Sequence, residues 1–276
     1  MSTEGGYDEF YNRSIHWWLE QISTNLQWNA TMSDHTDLYQ LQKGSPFTGK
    51  PVLIVDKGPS LEKNIALIKE FGGPVVCCDR ALKPVIMAGA KPEYVVNVDS
   101  SYLCIPFLIN DVVRPKVWSI TAIFSVTSHS LLVYMWRGRR RFFIPYLEDG
   151  MVEVLQDMFP ETMPTIRCRG NVLTTSHIIA DSLGATEVVL VGCDNGYLGP
   201  EGLEHKTLEA KEIDVMGRMV WTDDVYEMYS ALHLDLIADY HEQGKKVFNC
   251  TGGGTIYSEH VIEMEFEDYL KKEGFL

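Results

Sequence analysis

The chain has 276 residues, 45% hydrophobic and 22% charged, a balance that excludes disordered and fibrous classes and fits a globular protein with a real core. Its formal net charge of −14 repels phosphate backbones, so nucleic acid and anionic membranes are not expected partners.

No run reaches the roughly 18 uninterrupted apolar residues of a spanning helix. The nearest, Ile120 to Trp136, is broken by Thr, Ser and His. Met1 to Asp8 carry neither a basic nor an apolar leader region, and a cytoplasmic chain is expected. The six cysteines show no C-x-x-C pairing, and several sit in strand-like runs ("VVCCD", "LVGCD"). Buried reduced thiols follow, rather than disulfides or zinc ligands.

Residues 1–45 read as a helical, aromatic-rich extension, with a helical pattern in "IHWWLEQI" and three tryptophans (Trp17, Trp18, Trp28) expected to be buried on the core. Residues 46–276 read as one Rossmann-like nucleotide-binding catalytic domain. Val52 to Val55 is a β-branched apolar strand, followed by helical spacing at Leu61, Ile65, Leu67 and Ile68 with Ser60 as N-cap. "PVVCCD" is a second strand and "RALKPVIMAGAKP" a helix ended by Gly89 and Pro92. "EYVVNVD" is a third strand and "PKVWSI" a fourth. "MVEVLQDMF" is a helix. "NVLTTSHIIADSLGA" is a second, capped by Asn171 and stopped by Gly184. Then come the strand "TEVVLVGCD", the longest helix "DDVYEMYSALHLDLIADYHEQG" and a final strand in "KKVFNCTGGG". This alternation predicts an α/β fold with a doubly wound, mostly parallel Rossmann-like sheet and an N-terminal helical extension.

In such sheets ligands bind beyond the carboxyl ends of the strands. After the first strand, Gly58, Pro59 and Ser60 open a helix whose amino end suits an anion. Gly170 and Asn171 repeat the device, with Thr174 and Thr175 in the first helical turn. Gly252 and Gly253 belong to a third glycine-rich strand end, whose entropic cost implies close backbone contact. Asp79, Asp99 and Asp194 each end an apolar strand, where they suit ribose hydroxyls, bases or hydrated Mg²⁺. Neither G-x-G-x-x-G nor a Walker A loop is present. The run "WRGRRRFF" reads as a loop of arginines able to clamp a diphosphate or a nucleic-acid backbone, or as a solvated charge run.

Four segments in this order, "VLIVDKGPSLEKNIALIKEF", "VVCCDRALKPVIMAGAKPEYVVNVD", "GNVLTTSHIIADSLGATEVVLVGCDNGY" and "VFNCTGGGTI", carry a resemblance. Over roughly residues 46–265 the chain resembles the family that joins bacterial motility accessory factor glycosyltransferases to archaeal 6-hydroxymethylpterin pyrophosphokinase-like proteins. The resemblance implies a domain similar to bacterial sialyltransferases that use a cytidine-monophosphate sugar. Gly58, Pro59 and Ser60 would then line the nucleotide phosphate, and Asp79, Asp99, Gly170, Asn171 and Asp194 the nucleotide and sugar pocket. This chain is much shorter than the motility factors. Where the pyrophosphokinase branch favours Asp-x-Asp-Gly, it reads Asn97-Val98-Asp99-Ser100.

The expected function is transfer of a sugar, on the family's pattern a nonulosonic acid, from a cytidine- or uridine-type nucleotide donor. The acceptor, whether small molecule, glycan or protein, is not named by the sequence. His177 or His205 would serve as base, with Asp194 in the catalytic set. The alternative is a pyrophosphokinase using ATP with Mg²⁺ held by Asp99 and Asp194. A non-catalytic nucleotide-binding protein is the third reading. No cofactor is assigned outside the Mg²⁺ reading, and a homo-oligomer is left open.

Overall fold

A computed structural model of the chain describes residues 21–32, 37–146, 151–168, 171–200 and 209–276. The first half runs α1 (residues 21–30), α2 (Tyr39–Gly44), β1 (Pro51–Val55), α3 (Leu61–Asn64), β2 (Val75–Cys78), α4 (Asp79–Met87), β3 (Tyr94–Asn97), α5 (Ile105–Leu108), β4 (Thr121–Ser125), α6 (Ser130–Met135) and β5 (Arg139–Pro145). The second runs α7 (Met151–Met158), β6 (Thr165–Ile166), α8 (Val172–Ser182), β7 (Glu187–Val191), β8 (Lys211–Val215), β9 (Arg218–Thr222), α9 (Asp224–Glu242), β10 (Lys246–Asn249), β11 (Val261–Glu263) and α10 (Phe266–Lys272).

All described strands except β8 and β9 join one parallel sheet in the order β11-β10-β7-β1-β2-β3-β4-β5-β6. Its central strands are apolar throughout because both faces are covered. In β1, Leu53 and Val55 enter one core layer with Ile22 and Leu26 of α1, Val85 of α4 and Phe266 of α10. Val52 and Ile54 enter the other, with Leu173 and Ile179 of α8 and Ile237 and Tyr240 of α9. The doubly wound α/β reading therefore stands.

Chain order reverses between β7 and β1, the third and fourth of the nine strands. From β1 the chain winds outward through β2 to β6, then returns to β7 and continues the other way. That pair is the topological switch point, where the flanking connections part to opposite faces and leave a crevice at the carboxyl ends.

Several local expectations are corrected. The segment "PKVWSI" forms a 3₁₀ turn at Val117–Ser119, and the strand is the fully buried Thr121–Ser125 that pairs with β3 and β5. "WRGRRRFF" is no loop: β5 begins inside it, pairing Arg139 with Thr121 at the amino-terminal edge, opposite the carboxyl ends. Arg140 turns to donate to Val133 O at 3.1 Å. The strand in "KKVFNC" is followed by β11.

Trp28 is 63% exposed, because Ile22, Asn25, Leu26 and Asn29 take the inward face of α1 at helical spacing. Trp17 and Trp18 lie outside the described residues. Helix α1 is tied down by its amides. Asn29 Nδ2 donates to Val126 O (2.8 Å) and Ser128 O (2.9 Å), and Asn25 Nδ2 to Ser100 O (3.0 Å). Those carbonyls follow β3 and β4, so α1 closes the carboxyl ends of that half of the sheet.

Candidate functional site

At the switch point, three strand ends converge on Asp194. The turn after β1 continues the pairing, with Gly58 N donating to Gly192 O at 2.8 Å. Ser60 then gives both its Oγ (2.7 Å) and its N–H (3.3 Å) to Asp194 Oδ2. From the β10 side, Thr255 N donates to Asp194 O at 2.9 Å, and Lys63 Nζ reaches Gly252 O at 3.2 Å.

The expected phosphate cradle at Gly58–Ser60 is thereby corrected. Ser60 has helical backbone angles and makes no cap, and α3 is four residues long. The anion received by this turn is the protein's own Asp194 carboxylate. A Cβ on Gly58 would collide with Asp194 Oδ2 and Gly192 O, so the glycine clears space for a side chain of this chain. Gly254, at φ +80°, passes so close that its Cβ would strike the Asp194 backbone. Gly253 faces Asp194 and Ser60, while Gly252 is open to solvent. The close approach implied by these glycines is thus between backbone and protein.

Beside Asp194, along β7, β1, β2 and β3, stand Asp56, Asp79 and Asp99, one carboxylate at each strand end. Burial pushes Asp194 up to about 6, against the two Ser60 hydrogen bonds that lower it, and the Asp56 charge raises it further. Asp79 is likewise raised to about 6 by burial, opposed by Asn97 Nδ2 at 2.8 Å and by Arg80 N, with Asp56 and Asp99 adding to the rise. Asp56, half-buried between them, is raised by burial while Lys57 N–H, Arg80 and Lys57 draw it down.

Asp99 is exposed, accepting from Ser101 N (2.8 Å) and Cys104 Sγ (3.1 Å). Two strands separate its own from that of Asp194, about 14 Å at ordinary strand spacing. The pair proposed as Mg²⁺ ligands cannot share an ion, and among the described residues no group of three His, Cys, Asp or Glu is placed to hold a metal.

Helix α8 presents its amino end on this same edge. Asn171 caps it, its Oδ1 accepting from Thr174 N at 2.8 Å. Thr175 Oγ1 is spent on Asn171 O (2.7 Å) and Cys168 O (3.1 Å), so it is corrected from ligand donor to structural tie. Thr174 Oγ1 is buried with no partner among the described residues. Gly170 lies outside the described residues, as does His205.

His177 is corrected as a base. It is fully buried, its Nδ1 is 3.0 Å from His233 Nε2, and its ring packs on Tyr240. Burial, then His233 and Lys245, hold it well below the ordinary histidine range. A ring with no exposed surface reaches no substrate hydroxyl.

Asp56, Asn97 and His129 were missed. Asp56 ends an apolar run as the other three do, so the same rule finds it. His129 follows β4, whose place in the sequence was expected a few residues earlier. Its Nδ1 accepts from Leu131 N at 3.2 Å, leaving the proton on Nε2, a donor.

The fold and this crevice define a Rossmann-like α/β protein with a carboxylate-lined switch point. The family described as 6-hydroxymethylpterin diphosphokinase MptE-like matches residues 20–200, and the chain belongs to that family. It is similar in structure to the MAf glycosyltransferase from Magnetospirillum magneticum AMB-1, with TM-score 0.66 at 17% identity over 90% of this chain and 38% of that one. At that identity the likeness shows the fold, and this chain spans well under half of that relative's length. No curated protein matches the sequence. Among the described residues no helix is long and apolar enough to cross a membrane.

Proposed function

We propose that the crevice between β1 and β7 transfers a sugar from a cytidine- or uridine-type nucleotide donor to an acceptor hydroxyl, with Asp194 as general base. The observation that carries this is the state of Asp194. Its Oδ2 is fixed by Ser60 and its Oδ1 takes no hydrogen bond from the described residues. A pKa of about 6 suits a base working near neutral pH. Asp56 and Asp79 add acceptors for sugar hydroxyls, with which carboxylates hydrogen-bond well while they repel a phosphate anion.

The leaving phosphate belongs at the amino end of α8, where the N–H groups of Val172 and Leu173 have no partner among the described residues and the helix dipole favours an anion. The likeness to a MAf glycosyltransferase supports this reading. His177 and the Asp99–Asp194 metal pair play no part in it.

Replacing Asp194 with Asn keeps the acceptor for both Ser60 donors and removes the base. Transfer should fall by about 10²- to 10⁴-fold while a cytidine or uridine nucleotide still raises the melting temperature. Unchanged transfer by Asp194→Asn would refute the assignment. The family's description favours diphosphate transfer from ATP as a second reading. A thermal shift confined to ATP with Mg²⁺ and abolished by chelator would establish it over sugar transfer.

A further inference from the structure

The amino-terminal edge of the sheet, across the strands from the crevice, carries a second kind of surface. Between residues 100 and 147 the sequence holds six Lys or Arg and one carboxylate, Asp111, in a chain of net charge −14. Arg114 and Lys116 lead into β4, and Arg137 and Arg139 into β5. The pairing of Thr121 with Arg139 sets the two groups side by side. All four cations are exposed, and none is ion-paired among the described residues.

A hollow of about 160 Å³ opens among them, lined by Ile109, Val117 and Met135 together with Arg114, Trp118 and Arg137. Trp118 is 72% exposed, and Arg137 lies over the exposed Tyr134 ring at 5.5 Å. A second hollow of about 230 Å³, lined in part by Lys91 and Lys116, adjoins the same segment.

We infer that this face docks an acidic segment of another protein, one bulky apolar side chain entering the hollow beside Trp118 while flanking carboxylates meet Arg114 and Arg137. Exposed tryptophan and unpaired arginine are the residue types that carry interface energy, and an apolar hollow of this size admits one Leu or Phe side chain. A long nucleic acid would bring its charge over the rest of a strongly acidic molecule. A two-fold pair of this chain would press basic face on basic face.

The test is fluorescence anisotropy of the full chain with three labelled probes: a ten-residue Glu/Asp peptide with one central Phe, the same peptide with Ala at that place, and a ten-nucleotide oligothymidylate. The Phe peptide should bind at least about tenfold tighter than either other probe and weaken as salt rises, since the contact is electrostatic at its rim. Trp118→Ala and the pair Arg114→Glu with Arg137→Glu should each cost about tenfold or more while the thermal shift with nucleotide is unchanged. Equal binding of the two peptides, no peptide binding, or no effect of the variants overturns the inference. So does tighter binding of the oligonucleotide, or self-association in sedimentation that the variants abolish.

Discussion

At the scale of single residues, Gly58 shows how the site is built from the protein outward. The space a side chain would need there is filled by the Asp194 carboxylate and Gly192 O. Gly58→Ala should therefore destabilise the fold by about 2–3 kcal/mol through overpacking, read as a lower denaturant midpoint, and it should displace Asp194 with loss of transfer. A full-stability Gly58→Ala protein would show that the turn yields freely. The His177–His233 pair acts on stability from the core. Burial lowers His233 to about 3, so the unfolded chain binds its proton first as pH falls. The contribution is complete above about 6.5 and is lost between there and about 3, at roughly 1.4 kcal/mol for each tenfold difference in proton affinity between the folded and unfolded chain. His233→Gln keeps a partner for His177 Nδ1 and removes one titrating ring, so its acid-unfolding midpoint should move to lower pH. An unmoved midpoint would take this pair out of the acid transition.

Helix α1 belongs, at the scale of elements, to the sheet it caps. Its inward face carries Ile22 and Leu26 into the main core, and Asn29 satisfies two buried carbonyls beyond β4. Asn29→Ala leaves both without a donor and should cost about 2–4 kcal/mol. We propose that the segment through residue 45 and the domain from 46 onward unfold as one cooperative unit. Coincident transitions by tryptophan fluorescence and far-ultraviolet circular dichroism would support this, and two separated transitions would refute it. Elements with clear ends were legible from sequence: α8 (Val172–Ser182) has the Asn171 cap and the Gly184 stop read for it, and α9 (Asp224–Glu242) fills the segment read as the longest helix and ends before Gly244, both glycines in the left-handed region. Ser60 was misread because a serine before apolar spacing has the pattern of a cap, while its real partner, Asp194, lies 134 residues away. The β8–β9 hairpin was not seen, since its residues are half-exposed and lack the unbroken apolar run that marks the buried strands.

For the whole molecule, the sheet order separates two edges with opposite character. The carboxyl edge gathers four carboxylates across β7, β1, β2 and β3, and the amino edge gathers, at the starts of β4 and β5, cations without an ion pair among the described residues. A bound nucleotide should slow amide exchange in residues 56–60, 172–175, 192–195 and 251–255 together and leave 114–120 unaffected. Protection confined to one of those loops, or centred on 114–120, would contradict ligand binding at the switch point.

The sequence by itself determined the α/β class, the central parallel strands and the aspartates at their ends, because buried strands must be apolar and capped turns leave local signatures. Only the tertiary structure decided which of those ends are neighbours. Strand order placed Asp99 and Asp194 too far apart to share an ion and put Asp56 between Asp79 and Asp194. It also gave Ser60 a carboxylate instead of a helix to cap, enclosed His177 in the core, and sent the arginines to the opposite edge. Each outcome turns on a contact across many residues of chain, and such contacts leave no trace in local composition or spacing.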